Sequence, residues 1–158
     1  MEQIKKLVES QINSLRNCSQ KNTVQIQDGE VSIYEGALNT DCVIYNIARV
    51  KKAFPSLPLD FFDVFTDRIN ESGFNDDRLR DAVNHVIDTC VYPTPTIAQF
   101  ISFDKKYKVF TYDEMLKKCD ELGAEIWKSY QSIDLTEIEK PVYAHINDIK
   151  KYHLKCKT

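Results

Sequence analysis

Glycine is scarce in this sequence, and its scarcity excludes several classes of protein. Only four of the 158 residues are glycine, too few for the many tight turns that an all-β fold needs. The sequence contains no Gly-x-x-x-x-Gly-Lys phosphate loop, and no serine lies in a Gly-x-Ser-x-Gly motif. It therefore offers neither a phosphate loop of that type nor the nucleophile elbow of a hydrolase.

Long apolar runs and metal-binding spacings are also absent. No run approaches the roughly 20 apolar residues of a membrane span, and the N-terminus has no apolar signal core. We therefore expect a cytoplasmic protein with no membrane partner. The cysteines are odd in number and no two are two to four residues apart, which argues against a zinc site. Cys42 and Cys90 have apolar neighbours and are predicted to be small buried residues. They are Cys18, Cys42, Cys90, Cys119 and Cys156.

Candidate catalytic groups do not converge. His85 is a lone histidine on a predicted helix, and His145 and His153 would lie about 12 Å apart along a helix, too far to share a metal. The adjacent carboxylates Asp76-Asp77 and Asp113-Glu114 fall at predicted helix starts, where capping and the helix dipole account for them. The sequence therefore predicts a protein that is not an enzyme and uses no metal or cofactor.

Apolar residues at three- and four-residue steps predict a mainly α fold, a compact bundle of about six helices. Thr40 or Asp41 is the expected N-cap of the second of these helices, and Asn75 that of the fourth. Thr111 and Glu114 fit a capping box, and Gly73 and Gly123 fit helix ends. Pro141 is predicted to open the last helix. The helices are expected at 2–16, about 41–53, 58–72, 75–91, from Pro95, 111–123 and from Pro141.

Two segments leave the helical pattern. Val24/Ile26 and Val31/Ile33 alternate around Asp28-Gly29, which predicts a small β-hairpin near residues 22–34 or an irregular connector. Residues 124–139 fit either a helix or an extended segment. We expect a single domain over 1–158, with a core helical unit at about 41–104 and a C-terminal extension at 109–158.

The turn that ends the 75–91 helix has unusual chemistry. In "CVYPTPTIAQF", Tyr92-Pro93 forbids the helix from continuing. Thr94 is then the expected N-cap and Pro95 the expected first residue of a short helix. The stretch is therefore predicted to be a rigid corner between two helices.

Charge is distributed unevenly along the chain. Residues 55–90 contain eight acidic side chains and three arginines, whereas residues 139–158 contain five lysines and two acids. A basic tail can bind nucleic acid, although it is more often a solvated face. The net charge of −3 does not by itself indicate a partner.

Aromatic residues interleave with lysines in "FISFDKKYKVFTY". Aromatic rings can stack on bases while lysines hold phosphates, so a small DNA-binding module is one hypothesis. The alternative, which we favour, is a connector whose aromatic side chains fill the core. The predicted DNA-binding residues come from the lysines and tyrosines of 105–108 and 150–157. They are Lys105, Lys106, Tyr107, Lys108, Lys150 and Lys151.

Residues 43–108 resemble a known family. A helix leads to Phe54-Pro55, Gly73-Phe74 precedes the capped helix "FNDDRLRDAVNHVIDTC", and Tyr92-Pro93-Thr94-Pro95-Thr96-Ile97-Ala98 follows it. This pattern resembles the N-terminal helical domain of phage-encoded loader and inhibitor proteins of the replicative helicase. The resemblance implies a non-enzymatic adaptor in DNA replication that binds a helicase or an origin-bound protein, and it assigns no functional residues.

The residues themselves suggest where such an adaptor binds its partner. Aspartates recur on the outer faces predicted for the 58–72 and 75–91 helices, where they can steer a basic protein surface. They are Asp60, Asp63, Asp67, Asp77, Asp81 and Asp88. A further alternative is a structural or interaction protein of a mobile element with no role in replication.

Overall fold

The structure, a computed structural model, describes residues 29–135 and 140–157. The predicted 2–16 helix and the first arm of the predicted hairpin, Val24/Ile26, lie outside these residues. The described residues divide into two compact units. The first holds residues 34–104 and the second holds residues 29–33 together with 105–157.

The first unit is helical. Its helices are α1 (Thr40–Ala53), α2 (Leu59–Glu71), α3 (Asp76–Thr89) and the short α4 (Ile97–Ile101). Helix α1 contacts α3, and α4 contacts both α2 and α3. Each long helix contributes one apolar stripe to a common core, which is the packing that the three- and four-residue spacing predicts.

Phenylalanine dominates this core. Phe62, Phe65 and Phe100 are fully buried, and the Phe65 and Phe100 ring centroids are 4.8 Å apart. Because α4 is only five residues long, it cannot be stable alone. Phe100 therefore anchors α4 by burying its ring among the side chains of α2.

The helix ends agree with the predicted caps in most cases. The Asn75 side chain accepts a hydrogen bond from the Arg78 N–H at 2.8 Å and so caps α3. Gly73 follows α2 with φ 63°, a left-handed backbone that favours glycine. Helix α1 is capped by the Asn39 side chain, not by the expected Thr40 or Asp41.

The corner between α3 and α4 differs in detail from the prediction. Helix α4 begins at Ile97 with Thr96 as its N-cap, not at Pro95 with Thr94. The Gln99 side chain accepts a hydrogen bond from the Thr96 N–H at 2.8 Å, which closes a capping interaction two residues later than expected. Pro95 is buried and belongs to the corner itself.

The second unit contains a four-stranded antiparallel sheet with strand order β1-β2-β4-β3. The strands are β1 (Glu30–Ser32), β2 (Lys106–Thr111), β3 (Tyr130–Ile133) and β4 (Val142–His145). The helices of this unit are α5 (Tyr112–Leu122), a 3-10 helix (Ala124–Ser129) and α6 (Ile146–Tyr152). The described residues thus form a helical unit and a small α+β unit, and the sheet is larger than the predicted hairpin.

Strand pairing in the second unit joins distant parts of the sequence. Val31 of β1 pairs with Tyr107 of β2, 76 residues later. The predicted second arm of the hairpin is therefore a strand, and its partner among the described residues is β2. Val142 also lies in a strand, so the prediction of a helix that begins at Pro141 is wrong. Helix α6 begins four residues after Val142, at Ile146.

One face of this sheet is buried, and we call it the inner face. Alternate residues of each strand point to it, and Ile149 and Tyr152 of α6 pack against them. Alternation also explains why Lys106 and Lys108 are exposed while Tyr107 and Val109 are buried. The inner face holds Val31, Tyr107, Val109, Ile133, Val142 and Ala144.

Candidate interaction surfaces

Helix α2 carries the most regular of the predicted acidic surfaces. Asp60, Asp63, Val64 and Asp67 follow the i, i+3, i+4, i+7 spacing that places residues on one helix face. All four are exposed, and 51% of the Val64 surface is accessible. We call these four residues the α2 stripe. Its opposite face is the buried face of Phe62, Phe65 and Ile69.

Two of the predicted acidic residues of α3 make contacts within the helical unit. Asp81 is half-buried and accepts a hydrogen bond from the Tyr34 hydroxyl at 2.8 Å. Asp77 forms an exposed ion pair with Arg80 at 2.9 Å, and Asp88 is exposed near the end of the helix. Part of this face therefore holds the unit together, whereas all four residues of the α2 stripe are exposed.

Burial and the neighbouring carboxylate change the chemistry of Tyr34. Desolvation by burial, followed by the hydrogen bond to Asp81, raises the pKa of Tyr34 well above its ordinary value of 10. Tyr34 therefore stays protonated and donates to Asp81. This places Tyr34 and Asp81 in a structural role, tying the segment before α1 to α3.

Arg78 is the centre of a second polar network, which sequence reasoning missed. Its guanidinium lies 4.1 Å from the Phe74 ring centroid and donates to three backbone carbonyls. The acceptors are Phe103 O at 3.0 Å, Ile101 O at 3.2 Å and Ser72 O at 3.3 Å. Ser72 directly follows α2, Ile101 is the last residue of α4 and Phe103 follows α4, so Arg78 joins the ends of both helices to α3. No local sequence signal distinguishes Arg78 from the exposed Arg80.

The predicted DNA-binding residues lie on different sides of the sheet in the second unit. Tyr107 is 5% exposed and its ring centroid is 6.3 Å from that of Tyr152, so it is a core residue and its ring cannot stack on a base. Lys106 and Lys108 are exposed on the opposite, outer face of β2. Lys105 is exposed just before β2.

The remaining predicted lysines do not join this group. Lys150 and Lys151 are exposed on α6, the helix that packs on the inner face. The two lysine groups of the DNA hypothesis are therefore not brought together on one surface.

The outer face of the sheet carries a layer of aromatic rings that sequence reasoning did not group. Phe110 contacts Tyr130 with ring centroids 5.5 Å apart, and Tyr130 contacts His145 at 5.2 Å. Trp127 of the 3-10 helix contacts Tyr143 of β4 at 5.2 Å. The Lys118 ammonium lies 4.6 Å from the Phe110 ring centroid, a cation–π distance. The alternation of residues 106–110, in which every second side chain points to the same face, is the sequence signal that could have identified this face.

Known proteins provide no independent guide to these surfaces. The chain matches no protein-family model, no curated protein and no solved structure. Across residues 29–135 and 140–157, no group of three or more histidine, cysteine, aspartate or glutamate side chains could hold a metal ion. Within those same ranges, no helix has the length and apolarity to cross a membrane.

Proposed function

We propose that this protein is a non-enzymatic adaptor that binds a basic surface of a replication protein, such as a replicative helicase. The α2 stripe is the observation that carries the proposal. It combines three exposed aspartates with an exposed valine on a single helix face. An apolar centre within a charged rim is the usual arrangement of a protein–protein interface.

The charge of the helical unit supports a basic partner. Residues 34–104 contain eleven acidic and six basic side chains, a net charge of −5. Such a field accelerates encounter with a positive surface and repels nucleic acid. The resemblance of residues 43–108 to helicase loader and inhibitor proteins suggests which kind of partner to test first.

Neutralising the stripe tests the proposal. The variant Asp60→Asn/Asp63→Asn/Asp67→Asn keeps side-chain size and removes three charges from exposed positions. Its affinity for the purified replicative helicase of the host, measured by biolayer interferometry, should fall by about tenfold or more.

A matched control separates the stripe from net charge. Asp120→Asn/Glu121→Gln/Glu125→Gln removes the same number of charges from exposed positions of the second unit and should bind almost as the wild type does. Equal weakening of the two variants would refute a role of the stripe. No binding of the wild type would refute the choice of a helicase as the partner.

A second candidate function is binding of single-stranded DNA on the outer face of the sheet. Lys106 and Lys108 are exposed there beside the half-buried rings of Phe110, Tyr130 and His145. Lysines next to aromatic rings suit a chain of phosphates and bases. This surface replaces Tyr107 of the sequence-based hypothesis with Phe110.

Fluorescence anisotropy with a labelled oligothymidine tests this second function. Binding should weaken steeply as salt rises, and Lys106→Gln/Lys108→Gln should weaken it while Lys150→Gln/Lys151→Gln should not. No binding at micromolar protein in low salt would remove the hypothesis.

A further inference from the structure

The corner after α3 exposes two large side chains that a folded unit normally buries. Val91 is 85% exposed and Tyr92 is 68% exposed. They are adjacent in sequence and follow directly after the end of α3. Single exposed apolar side chains are normal on a protein surface, whereas apolar groups rimmed by polar residues mark contact sites, so the surroundings of this pair decide its role.

The corner is rigid, which suits it to binding. Pro93 fixes its own φ, and its carbonyl accepts a hydrogen bond from the Ser56 hydroxyl at 3.3 Å. Downstream, the Thr96–Gln99 interaction holds the beginning of α4. A side chain presented on a fixed backbone loses little conformational entropy when it binds, and tyrosine is among the residues most enriched at interface hot spots.

The corner lies at the end of the unit where α2 begins. Ser56, which bonds to the corner, precedes α2 by three residues. At that same end, Leu59 is 41% exposed and Asp60 begins the α2 stripe. Apolar side chains and acidic side chains therefore occur together at this end of the helical unit.

We infer that Val91 and Tyr92 are the apolar anchor of the interface whose charged part is the α2 stripe. This inference rests on the proposed adaptor function and names the chemistry of its partner. The occupant is a protein surface that has an apolar pocket for the Tyr92 ring within a rim of lysines or arginines. A second copy of this chain fits less well, because two helical units of net charge −5 repel each other.

Polar replacement of the anchor tests the inference. Val91→Ser/Tyr92→Ser changes only exposed side chains, so the fold should persist, as far-UV circular dichroism will check. Binding to the purified replicative helicase should weaken by about tenfold or more, mainly through faster dissociation. The control Tyr45→Ser removes an aromatic side chain that is 63% exposed on α1 and should change binding less than twofold.

The outcomes separate this inference from the proposed function. If the stripe variant loses binding while Val91→Ser/Tyr92→Ser binds as the wild type does, the anchor is overturned and the adaptor function stands. If the wild type does not bind the helicase, the choice of the helicase as the partner is refuted, and with it the inference that Val91 and Tyr92 anchor that interface. If sedimentation detects a dimer that Tyr92→Ser abolishes, the occupant is a second copy and the inference is overturned.

Discussion

Replacing Arg78 by alanine should destabilise the helical unit strongly. The guanidinium donates hydrogen bonds to Phe103 O, Ile101 O and Ser72 O at 3.0–3.3 Å. These bonds hold the turn before α3 and the C-terminal end of α4 against α3. Without the guanidinium, the three carbonyl oxygens must accept hydrogen bonds from water instead, or their segments must shift.

The magnitude follows from the contacts. At these distances each hydrogen bond to a half-buried guanidinium contributes about 1 kcal/mol, so the three contribute about 3 kcal/mol. The contact with the Phe74 ring adds about 0.5–1 kcal/mol. We therefore expect Arg78→Ala to lower the free energy of unfolding of the helical unit by about 3.5–4 kcal/mol. Burial lowers the pKa of Arg78, but arginine stays charged throughout the working pH range.

Two variants sharpen this prediction. Arg78→Lys keeps the charge, but an ammonium cannot replace the planar fork of the guanidinium. It should lower the free energy of unfolding by about 2 kcal/mol, between the wild type and Arg78→Ala. Arg80→Ala, two residues away, removes only an exposed ion pair with Asp77 and should cost less than about 0.5–1 kcal/mol.

Urea unfolding followed by far-UV circular dichroism measures these losses. Trp127, the single tryptophan, lies in the second unit, so its fluorescence reports unfolding of that unit in the same experiment. If Arg78→Ala and Arg80→Ala shift the helical transition equally, the network around Arg78 does not stabilise the unit as we describe.

Three further changes test packing and capping. Phe100→Ala should lower the free energy of unfolding of the helical unit by about 3–5 kcal/mol, because the ring is fully buried with its centroid 4.8 Å from that of Phe65. A decrease below about 1 kcal/mol would mean that the core closes around the cavity. Thr111→Ala should cost about 1 kcal/mol in the second unit, measured by Trp127 fluorescence, because Thr111 caps α5. Hydrogen bonds from Thr111 lower the pKa of Glu114 below its ordinary value of 4.5. The ionised Glu114 carboxylate therefore stabilises the second unit fully above pH 4.5, and this stabilisation is lost as the pH falls through the lower pKa of the folded state. The stability difference between wild type and Glu114→Gln should shrink over that acidic range, and a pH-independent difference would contradict this.

The helices could be predicted from sequence because their signals are local. The caps Asn75 and Thr111 and the end signals Gly73 and Gly123 lie within a few residues of the helices that they limit. The apolar stripe of each long helix then defines its buried face. Tertiary packing did not override these signals, and the observed ends agree with them closely.

The sheet could not be predicted because its pairing is long-range. Strand β1 precedes helices α1 to α4 yet pairs with β2, which follows them. Strands β3 and β4 have only four residues each, too few for alternation to be distinct. Pro141 was misinterpreted as the start of a helix because proline is also common directly before an extended strand.

The candidate surfaces were predicted only in part. The helical periodicity identified Asp60, Asp63 and Asp67 as one face. It did not indicate that Asp81 would accept a hydrogen bond from the Tyr34 hydroxyl, since that bond joins residues 47 positions apart. The exposure of Val91 and Tyr92 could not be predicted from the sequence either, because apolar residues beside a proline corner are as often buried in a core as exposed.

The most direct test of the central claim is the association rate of the chain with the replicative helicase at several ionic strengths. If the α2 stripe steers the encounter, the wild-type rate should fall steeply between low and physiological salt. The rate of Asp60→Asn/Asp63→Asn/Asp67→Asn should begin lower and depend less on salt. Identical salt dependence of the two proteins would contradict the proposal that the stripe binds a basic partner.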